Sequence, residues 1–140
     1  MDRFRNTAQP DRDWWAALWP DPKGTLRRLG IDGDARDLPS LLPERVETVL
    51  VANTFHGVDD RTGFAGTVRE ALDEGGRFVV VNWHDRPPGR TSVLGEPRGP
   101  PEPLRLSPDA TVDAVEPAGF DPVETVELEP YHYGIVFRQT

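Results

Sequence analysis

The stretch 46-VETVLVANTFHGVDDRTGFAGTVREALDEGGRFVVV-81 determines the fold of this 140-residue chain. Residues 46–52 are β-branched and almost continuously apolar, which is typical of a strand buried on both faces of a parallel sheet. A helix follows, which Asp59 or Asp60 can cap, and its apolar face is formed by Phe64, Val68, Ala71 and Leu72. Residues 77–81 form a second buried strand. This order and spacing predict a right-handed βαβ unit.

The segments on either side extend an α/β pattern. Residues 10–31 have the apolar spacing of two short helices. Residues 85–106 are rich in proline and glycine, which excludes regular structure and leaves either a substrate lid or a disordered loop. Ser107-Pro108 begins another helix that ends at Gly119. Residues 123–128 and 133–137 then read as the two strands of an antiparallel hairpin.

The composition excludes several classes of function. The chain has 24 acidic residues against 16 basic ones, a net charge of −8, and a single lysine, Lys23. An acidic, lysine-poor surface is expected of a halophilic protein, because molar salt shortens the Debye length to about 3 Å. A genome that favours arginine codons would produce the same composition. No basic stripe is present for nucleic acid to bind.

No cysteine is present, so disulfides, thiolate nucleophiles and Cys-ligated zinc are excluded. The longest apolar run, residues 78–81, is too short to cross a bilayer, and the N-terminus has no apolar leader segment. We therefore expect a soluble, cytoplasmic protein without a membrane or nucleic-acid partner.

Four passages together resemble a known family. Residues 46–56, ending in Phe55-His56, resemble the fourth strand and its tip in class I S-adenosylmethionine methyltransferases of the ubiquinone-biosynthesis-like type (methyltransferase type 11/25). Residues 69–81 resemble that family's R-x-L-K-P-G-G passage into strand five, and residues 106–120 resemble its last helix and Ala-Gly-Phe turn. Residues 33–39 (GDARDLP) resemble the segment that contacts adenine.

The resemblance implies a single domain, with residues 1–31 as an N-terminal helical cap and residues 33–140 as the second half of the fold. The family's Gly-rich loop and its first three strands, about 60 residues, have no counterpart in this sequence. We therefore expect a Rossmann-like sheet reduced to the strand order 4-5-7-6, with helices on both faces. The central fourth strand, residues 46–52, would become an exposed edge that leads either to a homodimer or to poor solubility.

The resemblance also implies site residues. Asp34, Ala35, Asn53 and Phe55 are the expected contacts of the cofactor, S-adenosylmethionine, and His56 is the expected catalytic base. Trp14, Trp15 and Trp19 either form an aromatic lid over the substrate or pack the first helix onto the domain. The histidines His56, His84 and His132 lie on different loops, and neither they nor Asp85 have the spacing of metal ligands. No metal site is therefore expected.

Two functions follow from these features. The first is methyl transfer from S-adenosylmethionine to a small-molecule acceptor, whose identity the family sets through segments corresponding to residues 1–30 and 84–106. The alternative is an inactive remnant that serves as an interaction subunit or is a non-functional fragment, which the missing Gly-rich loop favours. Neither segment contains a motif that identifies the acceptor.

Overall fold

The computed structural model describes residues 35–140. In chain order the strands are β1 (Val46–Ala52), β2 (Leu72–Trp83), β3 (Ser92–Val93), β4 (Glu96–Pro97), β5 (Phe120–Leu128) and β6 (His132–Gln139). Four of them form a mixed sheet in the order β1-β2-β6-β5, and the very short β3 and β4 form a separate hairpin. The α-helices are α1 (Leu38–Leu41), α2 (Arg61–Ala71) and α3 (Pro108–Val115).

The β1–α2–β2 unit confirms the interpretation of the central stretch. β1 and β2 are parallel, with Val49 beside Phe78 and Val51 beside Val80. The Asp60 side chain caps α2 by accepting a hydrogen bond from the Gly63 N–H at 2.9 Å. The helix ends at Ala71, so Leu72 begins β2 instead of continuing the helix, although its side chain remains buried.

The C-terminal half also follows the local sequence signals. The Ser107 hydroxyl caps α3 by accepting from the Ala110 N–H at 3.1 Å. A 3-10 turn, Glu116–Ala118, continues the helix until Gly119, whose φ of 98° lies in the left-handed region that favours glycine. β5 and β6 form the antiparallel hairpin, and β6 also pairs with β2. The predicted 4-5-7-6 order is confirmed.

A buried aromatic cluster forms the core on one face of this sheet. The Phe78 ring lies 5.6 Å from that of Phe120, 6.1 Å from Phe137 and 6.4 Å from Phe55, centroid to centroid. Side chains from α2 and α3 belong to the same buried cluster, so both helices pack on the same face of the sheet. Full burial of one such ring contributes roughly 2 to 3 kcal/mol.

The other face of the sheet is open in the described residues, and so are the outer edges of its first and last strands, β1 and β5. Helices were expected on both faces, but α2 and α3 share one, and the helical cap predicted for residues 1–31 lies outside the described residues. β1 forms one edge of the sheet, as expected. The two-sided burial expected from its composition is not seen among the described residues, because Leu50, on the face opposite the core, is 55% exposed.

The proline-rich segment that follows β2 is organised around one buried arginine. Arg105 donates hydrogen bonds to the carbonyl oxygens of Arg98 at 2.7 Å and Pro100 at 2.9 Å, and to Thr91 Oγ1 at 3.1 Å. Its guanidinium carbon lies 5.5 Å from the centre of the Trp83 ring. The segment therefore has a defined path through the β3–β4 hairpin, which the expectation of no regular structure missed.

We predict that Arg105→Ala releases this segment without unfolding the sheet. The substitution leaves several buried acceptors unsatisfied, which costs at least about 2 kcal/mol. Hydrogen exchange should accelerate across residues 85–106 while β2 and β6 stay protected. Arg90→Ala, at an exposed position in the same segment, is the control and should change neither. The same exchange rates across residues 85–106 in both variants would contradict a central role for Arg105.

Candidate functional site

The candidate site begins where β1 ends, at the carboxyl edge of the two parallel strands. Asn53 follows β1 directly and has a φ of 58°, a left-handed conformation that asparagine tolerates better than most residues. Its N–H donates to the Val81 carbonyl oxygen at 2.8 Å, which holds the tip of β1 against β2. Its side chain is exposed, in the position where ligands bind in open α/β sheets.

Phe55 follows in a 3-10 turn, Phe55–Gly57, but its side chain points into the core. The ring is fully buried and packs against Phe64 and Phe78. This corrects the expectation of a cofactor contact through the Phe55 side chain, because the ring has no exposed surface. A phenylalanine next to the tip of a buried strand completes the apolar core, and its sequence position alone does not reveal that.

His56 occupies the same turn and is half-buried. Its carbonyl oxygen accepts a hydrogen bond from Arg61 Nη2 at 2.8 Å, which joins the turn to the first residue of α2. Burial, followed by the positive charges of Arg61 and Arg105, lowers the pKa of His56 from its ordinary value of 6.5. The imidazole is therefore neutral at pH 7, the form that can accept a proton.

Two of the predicted site residues, Asn53 and His56, lie three positions apart in the loop that follows β1. Ala35 is exposed in a 3-10 turn, Ala35–Asp37, which touches α2. Asp34 and the tryptophans Trp14, Trp15 and Trp19 lie outside the described residues. In residues 35–140, no three His, Asp or Glu side chains cluster in a way that could hold a metal ion. No helix among them is long and apolar enough to cross a membrane.

A buried polar cluster at the end of β2 was not predicted from the sequence. Tyr133 donates from its hydroxyl to the Leu106 carbonyl oxygen at 2.7 Å. The Asn82 amide nitrogen lies 3.2 Å from both Thr111 Oγ1 and the Tyr133 hydroxyl, and those two oxygens are 2.7 Å apart. Burial raises the pKa of Tyr133 and keeps its phenol protonated.

This cluster connects four elements next to the site: β2, β6, α3 and the last residue of the proline-rich segment. It fixes the point at which that segment returns to the sheet. The signals that could have found it are the polar residue Asn82 at the end of an apolar strand and the tyrosine in the apolar run of β6. A buried polar residue in a strand requires a hydrogen-bond partner.

The two remaining histidines lie beyond the carboxyl end of β2 but do not join His56. His84 pairs with Glu127 of β5 through its Nε2 atom, at 2.7 and 2.9 Å from the two carboxylate oxygens. His132 lies against Trp83, with ring centres 4.2 Å apart, and its Nε2 atom is buried without a partner. Burial and the charges of His84 and Arg105 lower the pKa of His132 to about 4.

Comparison with solved structures identifies the class to which this fold corresponds. A S-adenosylmethionine-dependent methyltransferase from Aquifex aeolicus matches with a TM-score of 0.64 and 16% identity, over 94% of this chain and 65% of its own. A glycopeptide N-methyltransferase complexed with S-adenosyl-L-homocysteine matches with a TM-score of 0.58 and 20% identity, over 79% of this chain and 60% of its own. The fold is that of the class I S-adenosylmethionine-dependent methyltransferases.

Within that class, the chain is similar to a Sulfolobus solfataricus protein assigned to the type 11 methyltransferases. The two share 27% identity with a TM-score of 0.59, over 73% of this chain and 56% of the other. The resemblance inferred from the sequence is confirmed, and the cofactor it implies is S-adenosylmethionine. The chain spans between about half and two thirds of the length of these structures. No family model and no curated protein matches the sequence.

We predict that Tyr133→Phe destabilises the protein by about 1 to 3 kcal/mol, because Asn82, Thr111 and the Leu106 carbonyl each lose a buried partner. Tyr131→Phe is the matched control, since its hydroxyl makes one hydrogen bond, to the Ser92 carbonyl oxygen. Urea unfolding should show the smaller loss for Tyr131→Phe. Equal losses would contradict the network role of Tyr133.

We also predict a histidine-dependent loss of stability at acidic pH. The folded chain binds a proton at His132 less tightly than the unfolded chain, because the pKa of His132 falls from 6.5 to about 4 on folding. Its contribution is complete above pH 6.5 and declines as the pH falls toward 4, by about 1.4 kcal/mol per pH unit. His132→Phe should show a shallower decline in urea titrations over this range, and an unchanged slope would contradict the assignment.

Proposed function

We propose that this chain acts in methyl transfer from S-adenosylmethionine to a small-molecule acceptor. The observation that carries the proposal is the placement of Asn53 and a neutral His56 together on the tip of β1, at the carboxyl edge of the parallel pair. The cofactor supplies a sulfonium-bound methyl group. His56 takes the proton from an O–H or N–H acceptor, and Asn53 orients the bound molecule with its amide.

The residues available fit one part of such a site. Asn53 offers an exposed amide, and Ala35 lies in the segment that resembles the family's adenine contact, together with Asp34. The segment that would bind the methionine end has no counterpart in the sequence, and among residues 35–140 no strand pairs with the outer edge of β1. Activity of the lone chain is therefore expected to be weak until another chain completes that side.

The proline-rich segment is the part of the site that we expect to contact the acceptor. Arg105 and the Tyr133 cluster hold the proline-rich segment beside the end of β2, and this segment corresponds to the part that selects acceptors in the family. The acidic composition argues against nucleic acid as acceptor. We also propose that the protein is a single cytoplasmic domain that works in high salt, and this part of the proposal rests on composition alone.

A second candidate is an interaction subunit without catalytic activity. The unprotected edge of β1 favours it, because an exposed apolar strand is a ready binding surface for another chain. The two candidates differ in whether the chain binds cofactor.

Calorimetric titration with S-adenosylhomocysteine in high salt, beside a light-scattering mass, separates the two candidates. One site per chain would support methyl transfer and justify an acceptor screen. The absence of heat from a well-folded sample would overturn cofactor binding and leave the interaction subunit.

Two substitutions test the assigned roles. Asn53→Gly keeps the left-handed backbone and removes the amide, so we expect about tenfold weaker binding, or 1.4 kcal/mol. Asn53→Asp retains the length and conformational tolerance of the side chain and is the control for backbone effects. His56→Gln should leave affinity for S-adenosylhomocysteine within about threefold while methylation falls by at least about a hundredfold.

The pH dependence gives a second measure of the His56 role. A base whose pKa lies below 6.5 gives a pH–rate profile whose half-maximal point lies below pH 6.5. A half-maximal point at or above pH 6.5 would contradict His56 as the base.

A further inference from the structure

The outer edge of β1 lacks the features that protect sheet edges. Within residues 35–140 this strand pairs with β2 alone, so its other side has unpaired backbone groups along seven residues. It contains no proline, and Glu47 is its single charged residue. Natural edge strands are usually short, charged or covered, because an open apolar edge pairs with other chains.

We propose that β1 pairs with β1 of a second copy of this chain, antiparallel about a two-fold axis centred on Val49, and that the partner thereby completes the cofactor site. The statement about the site rests on the proposed function; the pairing itself does not. A second copy is the simplest occupant, because a two-fold axis lets one strand serve as both surfaces.

The strand's own pattern sets the register. Directly opposed residues in an antiparallel pair lie on the same face of the sheet, so a two-fold axis perpendicular to the sheet must lie at a residue position, where that residue meets its own copy. The central position of Val46–Ala52 is Val49, and only that centre pairs all seven residues. Val49 then faces Val49 of the partner subunit, and the apolar core continues from one protomer into the next.

Charge and exposure agree with this register. Glu47 faces Val51 of the partner subunit, so the strand's only carboxylate does not meet its own copy. On the open face Thr48 lies beside Leu50 of the partner subunit, which covers the most exposed apolar side chain of the strand. Each cross-strand pair of this kind contributes roughly 0.2 to 1 kcal/mol.

The same register brings a new residue to the site. Arg45, exposed one position before β1, would pair with the residue one position after the partner's strand, and that residue is Asn53. The guanidinium of the partner's Arg45 would then lie beside the tip of β1, at the position that the family's Gly-rich loop occupies and that this sequence leaves without a counterpart. Arginine binds carboxylates in a bidentate manner, so the partner's Arg45 suits the amino-acid carboxylate of the cofactor.

Cysteine substitutions test the pairing, because the full chain has no cysteine of its own. Val49→Cys should oxidise to a disulfide-linked dimer, since directly paired residues lie about 4.5 to 5.5 Å apart between Cα atoms. Thr48→Cys alone and Leu50→Cys alone should stay monomeric on non-reducing gels, because each would lie about 8 Å from its own copy. An equimolar mixture of these two variants should cross-link.

Solution mass provides the second test of the pairing. The wild-type mass should rise with concentration toward twice 15.6 kDa in high salt. The double variant Thr48→Lys with Leu50→Lys places lysines opposite each other and should remain monomeric, with an unchanged circular dichroism spectrum. A wild-type monomer at every concentration, or no cross-linking of Val49→Cys, would overturn the pairing.

Subunit mixing tests the shared site. Arg45→Ala and Asn53→Gly should each weaken binding of S-adenosylhomocysteine about tenfold. A mixed dimer has one site with both native residues, so mixing the variants should restore tight binding in up to a quarter of all sites. Arg138→Ala, at an exposed position of β6, is the control and should neither weaken nor restore it. No recovery in mixtures that do cross-link through β1 would overturn the contribution of Arg45.

The failures of the two proposals are distinguishable. If wild-type protein dimerises through β1 but no variant or mixture binds S-adenosylhomocysteine, the proposed function fails and the pairing stands. If a strictly monomeric protein binds S-adenosylhomocysteine, the function stands and the pairing is wrong.

Discussion

Phe78 lies at the centre of the sheet, and its ring contacts those of Phe55, Phe120 and Phe137. These four side chains come from the tip of β1, from β2, and from both strands of the hairpin. The cluster therefore makes the parallel unit and the antiparallel hairpin share one core. With helices on a single face among the described residues, this small sheet depends on that burial more than a fully wound one would.

The candidate site follows from the same constraint. Because Phe55 turns inward to join the core, the next residue, His56, stays near the surface, and Asn53 takes the left-handed turn that makes this possible. Buried polar residues then fix the surroundings. Arg105 and the Tyr133 cluster hold the proline-rich segment against the end of β2. Without these hydrogen bonds, a segment so rich in proline and glycine would have no ordered conformation of its own.

The open edge is the other consequence of a reduced sheet. In a complete class I methyltransferase sheet the strand that corresponds to β1 lies in the interior, and the apolar composition of Val46–Ala52 suits that position. In the part of this chain that the structure describes, the same residues form an edge of the sheet. Leu50 and its neighbours are thus apolar residues in an exposed place, and this mismatch between composition and position motivates an association through β1.

The sequence alone determined the elements and their order. Asp60, Ser107 and Gly119 act on backbone groups within a few residues, and strand alternation or helical spacing is visible in any short window. Position after a strand was also enough to select Asn53 and His56 as site candidates. Tertiary structure decided that Phe55 is a core residue, that Arg105 organises a segment without periodicity, and that Asn82 meets Tyr133 across 51 positions. Such contacts join residues that are distant in the chain, and no local pattern records them, because their partners are chosen by how the packed elements meet.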